Sequence, residues 1–159
     1  MSKETLHFKV GLSTNSSSKL PEFTLGVNGN TYFKGTLSSG GSVTDYFEFD
    51  AEIEEGDGLF EICLLNKQET DTVKGDNGEI LEDMLLNVDS IEIDDISLGF
   101  LLWTHSKYFP NYPESYIEYN KASGAELPES VLNCVNMGWN GSWQIPFTSP
   151  FFVWLLENL

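Results

Sequence analysis

Along much of this chain, apolar residues alternate with polar or small ones. In Leu6-His7-Phe8-Lys9-Val10-Gly11-Leu12 every second position is apolar, and the stretch 46–53 puts Phe47, Phe49, Ala51 and Ile53 on one side. A period of two sends successive side chains to opposite faces of an extended backbone, so both segments read as half-buried strands. Residues 59–65, 86–93, 98–104, 143–147 and 151–156 read as further strands. Residues 23–27 and 30–33 flank Asn28-Gly29 and read as a hairpin, because Asn-Gly supplies the positive φ angles of a type I′ turn. A second Asn-Gly, Asn140-Gly141, lies between Trp139 and Trp143 and carries the same hairpin signal. Ser and Gly clusters at 16–18, 38–41, 56–58 and 75–78 separate the runs. Short strands spaced by turns predict an all-β fold, a β-sandwich or jelly roll of antiparallel strands, as a single domain over residues 1–159. One short helical turn is expected at 128–132. The alternation assigns Phe8, Val10, Phe47, Phe49, Phe60, Ile62, Leu64, Val88, Ile91 and Ile93 to the core.

One segment interrupts this regularity. Residues 66–83 form a long acidic loop between two apolar strands, and loops of that length in compact domains are commonly functional. The loop lies inside a wider charge asymmetry. Of 25 acids, 18 fall between Asp45 and Asp95 against only Lys67 and Lys74, so that third carries −16 of the net −17. All eight basic residues are Lys. Such a surface repels nucleic acid and anionic membranes, whose binding requires clustered Lys and Arg. Cations are attracted to it. No apolar run approaches the roughly 20 residues that span a bilayer. The sequence opens Met1-Ser2-Lys3-Glu4 with no apolar leader behind it, which reads as a complete chain without a secretion signal. Cys63 and Cys134, both in apolar contexts, read as free thiols.

No catalytic constellation emerges. His7 falls on the polar face of its strand and His105 ends an apolar run. Neither accompanies a nucleophile motif, a phosphate loop or metal-type Cys/His spacing. Two carboxylates suffice for a glycosidase, so among 25 acids a small glycosidase stays open as a minor reading. No catalytic residue is assigned, and little or no hydrolytic activity is expected.

The loop offers carboxylates and amide oxygens on a Gly-containing backbone, which suits calcium better than magnesium. Leu65-Asn66, the acidic loop and then Glu82-Asp83-Met84-Leu85-Leu86-Asn87-Val88 resemble calcium-dependent xylan-binding carbohydrate-binding modules. The similarity runs over about residues 5–98. In those β-sandwiches a Phe-x-Asn-Asp segment precedes a loop and an Asp-Arg-Asn-Leu-x-Val strand. Asn66 matches the family's Asn, Asp83 its second-motif Asp, and Leu86 and Val88 its apolar pair. Lys67 stands where the family has Asp, and Met84-Leu85 replaces Arg-Asn. The resemblance implies calcium as cofactor. With one oxygen ligand lost and a lysine added, the expectation is weak binding at most, through some of Asn66, Asp71, Asp76, Glu82 and Asp83.

From Phe100 onward the chain is aromatic, and its end, from Gly138-Trp139-Asn140-Gly141 to Leu159, resembles proteins of marine tailed phages. Tyr108, Tyr112 and Trp139 are the candidate ligand contacts, since exposed rings stack on sugars or anchor interfaces. Trp154 is expected in the core. These features together predict a non-enzymatic virion accessory protein, decorating a capsid or belonging to a tail or fibre. It would assemble in the host cytoplasm with other virion proteins or copies of itself and meet surface polysaccharide. The alternative is a functional calcium-dependent glycan-binding module.

Overall fold

The computed structural model describes residues 2–159. In chain order it contains β1 (Lys3–Ser13), β2 (Glu22–Val27), β3 (Asn30–Thr36), β4 (Asp45–Glu54) and β5 (Gly56–Leu64). A 3₁₀ turn (Glu69–Asp71), β6 (Val73–Lys74) and β7 (Ile80–Glu82) follow, then β8 (Leu86–Ile93) and β9 (Ile96–Ser97). The remainder is α1 (Leu101–Thr104), β10 (Lys107–Pro110), α2 (Glu114–Ala122), β11 (Val131–Leu132), β12 (Asn136–Met137), β13 (Gly141–Ser149) and α3 (Phe151–Asn158).

Two antiparallel sheets form the sandwich. One runs β12-β8-β1-β4, with β9 beside β8, and the other runs β11-β10-β13-β5-β2-β3. Long registers hold each together: Lys3↔Glu54 through Leu12↔Asp45 in the first, and Gly141↔Leu64 through Ser149↔Gly56 in the second. The C-terminal part of the chain thus supplies an interior strand of a sheet begun by residues near the N-terminus. Alternation sends Leu6, Phe8, Val10 and Leu12 inward from β1, and Phe60, Ile62 and Leu64 inward from β5. Phe8 stacks on Phe60 at 5.5 Å, and Trp143 meets Phe60 edge-on at 6.4 Å. On the outer face of the first sheet the same alternation places Glu48, Asp50 and Glu52 beside His7 and Lys3. Much of the negative charge is therefore strand surface.

The Asn28-Gly29 turn forms as expected, with φ of 53° and 82°. Eight of the ten expected core residues are buried. Phe47 and Phe49 are half-buried instead, because β4 is an edge strand and their rings lean inward onto Phe23 and Phe8 at 4.8 and 4.9 Å. Cys63 and Cys134 are free and half-buried.

Four local expectations fail. The run 98–104 is not a strand: after β9 the chain turns at Gly99 (φ 55°) into α1, which buries Leu101 and Leu102 and leaves Phe100 and Trp103 out. The run 151–156 is α3, not a strand. Its buried residues are Phe151, Trp154 and Leu155, a helical i, i+3, i+4 set that an unbroken apolar run conceals. Trp154 is in the core as expected, reached from a helix. Glu4 caps this helix, its carboxylate accepting the backbone N–H of Phe151 at 2.7 Å and the hydroxyl of Ser149. The expected turn at 128–132 ends in β11, while the unforeseen helix α2 starts after Pro113 with no buried residue to mark it in the sequence. Asn140-Gly141 does not close a hairpin. Gly141 opens β13 at φ 148°, where a Cβ would overlap the carbonyl of Phe109 on β10. Among the described residues no helix is long and apolar enough to cross a membrane.

Candidate functional site

The acidic loop is an ordered structure: the 3₁₀ turn, then the small β6-β7 hairpin, held along its length by its own carboxylates. Asp71 accepts the backbone N–H of Gln68 and pairs with Lys19, each at 2.7 Å. Glu82 accepts from the backbone N–H of Ser17 at 3.1 Å and from the hydroxyls of Ser16, Ser17 and Ser18. The Ser17 amide first, then the Ser18 hydroxyl, draw its carboxyl below the usual range. Asn66 spends its amide at both ends, accepting from the N–H of Glu22 at 2.8 Å and donating to the carbonyl of Leu20 at 3.1 Å. Asp76 stands exposed in the turn between β6 and β7. Asp83 receives the hydroxyl of Thr72 at 2.8 Å and the ammonium of Lys67. The structure thus distributes the five candidate cation ligands around the loop, four of them bonded to internal donors. Among the described residues no three His, Cys, Asp or Glu side chains converge on a common point.

Lys67 lies at the centre of this region. Its side chain is 1% exposed. The ammonium donates to Asp83, donates to the carbonyl of Met84 at 3.2 Å, and lies 5.6 Å from the centre of the Trp139 ring. The ammonium thereby meets an anion, a carbonyl and, within cation–π range, a ring face, which offsets the cost of burying its charge. Asn140 fixes the backbone beneath. Its amide accepts the N–H of Lys67 at 2.7 Å and donates back to the Lys67 carbonyl at 3.1 Å.

The neighbouring Trp139 is positioned by Tyr108. The Tyr108 hydroxyl donates to the carbonyl of Trp139 and accepts its N–H at 3.0 Å. Tyr108 itself is buried, and that burial pushes its phenol well above the ordinary tyrosine value. It therefore lies behind Trp139, not at the surface. Tyr112 and Trp139 are half-buried and joined by Tyr116 of α2. Tyr116 packs 4.8 Å from Trp139, and Tyr112 lies 5.8 Å from Tyr116 and 6.3 Å from Trp139. Tyr112 also donates to the carbonyl of Pro128 at 3.1 Å. Sequence reading missed Tyr116, although its i+4 spacing from Tyr112 was a signal.

Trp139 and Tyr116 form one wall of a cleft of about 280 Å³, whose other side is the acidic loop through Glu69, Thr72, Lys74, Ile80 and Asp83. The hydroxyl of Ser115 on α2 donates to Glu69, which joins helix and loop across the cleft. The cleft pairs flat apolar ring faces with oxygen acceptors and a lysine. That combination suits a ligand with an apolar face and many hydroxyls.

No protein-family model matches the sequence, and no curated protein matches it. Among solved structures the chain is similar to vCBM60, described in work on a circular permutation linking two families of calcium-dependent carbohydrate-binding modules. The TM-score is 0.51 at 13% identity, over 88% of this chain and 89% of that one. vCBM60 in complex with galactobiose gives a TM-score of 0.49 at 14% identity, over 89% and 97%. At such identities the likeness concerns shape alone: the chain has the antiparallel β-sandwich fold of a carbohydrate-binding module.

Proposed function

We propose that the protein is a non-catalytic glycan-binding module whose contact surface is the Trp139–Tyr116–Tyr112 ledge and the acidic cleft beside it. One observation carries the reading: three rings outside the core pack on one another, and two of them, Trp139 and Tyr116, open onto a cleft edged with the carboxylates of Glu69 and Asp83. Sugar rings present C–H faces to aromatic rings and hydroxyls to carboxylates, so the ledge supplies area and the loop supplies direction. The two cleft carboxylates, Glu69 and Asp83, already accept bonds from Ser115 and from Lys67 and Thr72. That engagement supports a holding role over acid–base work. A glycan array followed by calorimetry tests the proposal. Trp139→Ala and Tyr116→Ala should each weaken the selected glycan at least about fivefold, or about 1 kcal/mol, with the fold intact by circular dichroism. A wild-type protein that retains no glycan, or two variants that bind as wild type, would refute it.

A second reading, the virion accessory role, has its own support. The neighbouring helices α1 and α3 leave Phe100, Trp103, Phe152, Val153, Leu156 and Leu159 exposed. The helices touch where His105 meets Trp154 edge-on at 5.7 Å and Asn158 at 3.1 Å. Exposed apolar groups concentrated in this way favour contact with copies or neighbouring proteins. In this reading the protein assembles in the host cytoplasm, and the ledge faces surface polysaccharide once the particle is released. Immunogold labelling of purified phage particles with antibody to the protein is the test, and particles without label would remove the virion role.

A further inference from the structure

We infer that the ammonium of Lys67 takes the place of a calcium ion, so that this sandwich secures its acidic loop with a cation tethered to its own backbone. Three sets of observations meet at one atom. The first is position. Lys67 follows Asn66 and contacts Asp83, the two residues that match the calcium-dependent modules' motif, and it occupies the position that holds Asp there. The second is surroundings. The Nζ is buried, donates to Asp83 and the Met84 carbonyl, and faces the Trp139 ring. An ammonium enters such a site only when it is paired and hydrogen-bonded, and here it has a carboxylate partner, a carbonyl acceptor and an aromatic ring within cation–π range. The two-bond clamp from Asn140 places the lysine stem from below, so the charge has a fixed location.

The third is the fate of the oxygens. Calcium takes six to eight oxygen ligands. Asn66, Asp71 and Glu82 direct theirs at Glu22, at Gln68 and Lys19, and at the serines 16–18. A divalent ion sharing Asp83 would lie against the Lys67 ammonium, while the oxygens of Asn66, Asp71 and Glu82 are already directed elsewhere. The loop residues around this point therefore do not fit calcium, although the solved module of similar shape is a calcium-dependent one. The acidic loop and the ledge are joined through Lys67 itself, which touches Asp83 on one side and Trp139 on the other.

The inference needs no glycan, so it stands or falls apart from the binding proposal. Wild-type melting midpoints are compared in chelator, in calcium, and in magnesium at equal concentration, the magnesium arm correcting for general screening of a chain at −17. Equal midpoints in calcium and magnesium are expected. A calcium-specific rise, or one calcium bound per chain by calorimetry, would overturn the inference. Lys67→Asp restores the carboxylate and removes the competing charge. In chelator it should melt below wild type, and calcium a hundredfold above its Kd should raise it over magnesium by about 5–10 °C. If Lys67→Asp refolds only with calcium, that too supports the substitution of one cation for the other. If it refolds in neither, Lys67→Ser frees Asp83 without adding a second carboxylate and is read in the same way. A folded variant without a calcium-specific response would show that Lys67 fills no cation site.

Discussion

Tyr108 separates a residue that positions the ledge from one that touches a ligand, and Tyr108→Phe isolates its hydroxyl. The ring stays in the core, so the substitution deletes two hydrogen bonds and little apolar area. The N–H and carbonyl of Trp139 then lose their partner. An unsatisfied buried polar group costs about 1–3 kcal/mol, and half-buried Trp139 lets water recover part of this, so about 1–3 kcal/mol is expected in total. For a chain of this size that lowers the melting midpoint by roughly 3–10 °C. A second signature is alkaline. The folded phenol is raised above its ordinary value of 10.0 by burial, whereas the unfolded phenol ionises near that value. Its contribution to stability is therefore complete below pH 10 and declines as pH rises through the folded pKa. Phe has no such proton, so the gap between wild type and variant should narrow as pH rises above 10 in denaturant titrations. Glycan affinity should also fall, because the Trp139 ring loses its anchor. In a Trp139→Ala background the same substitution should add no further loss of affinity, as expected for coupled residues. An unchanged midpoint at neutral pH, or additive effects on affinity, would refute the positioning role.

Two other expectations concern the sandwich. Phe60→Ala empties a fully buried site and should cost about 3–5 kcal/mol by denaturant unfolding, whereas half-buried Phe49→Ala should cost clearly less; equal losses would contradict the edge position of β4. His7 is hydrogen-bonded to Glu48 at 2.9 Å and Asp50 at 2.7 Å, the Glu48 bond first raising its pKa above 6.5. Its stabilising effect is full below pH 6.5 and fades as pH rises through the folded pKa. An NMR titration of the imidazole should show the raised value, with Glu48→Gln lowering it.

Period-two alternation and the Asn28-Gly29 turn were enough to predict an antiparallel all-β sandwich, because strand faces and type I′ turns depend on neighbouring residues only. The same local rules erred on 151–156, where every residue is apolar and a helix and a buried strand look alike; only packing against β13, with Phe147 against Phe151 and Trp154, selects the helix. The amphipathic signal of α2 was missing altogether, since it buries no residue and supplies Tyr116 to the cleft and the Ser115 bond to Glu69 through contacts distant in sequence.

The candidate site divides along the same line. Acidity of the loop, aromatic richness beyond Phe100 and the odd lysine after Asn66 are properties of composition and order, legible before any folding. Which ring is core and which is surface was decided by tertiary structure. Tyr108 and Tyr112 are four residues apart in sequence, yet β13 pairs over the first and the chain turns outward before the second. Lys67 is the sharpest case. A lysine among acids reads as a solvated counter-charge, and only Trp139, Asn140, Asp83 and Met84, brought from far along the chain, make it a buried cation. Long-range contacts set solvent access, and solvent access decides whether a charge is hydrated at the surface or held at the centre of a site.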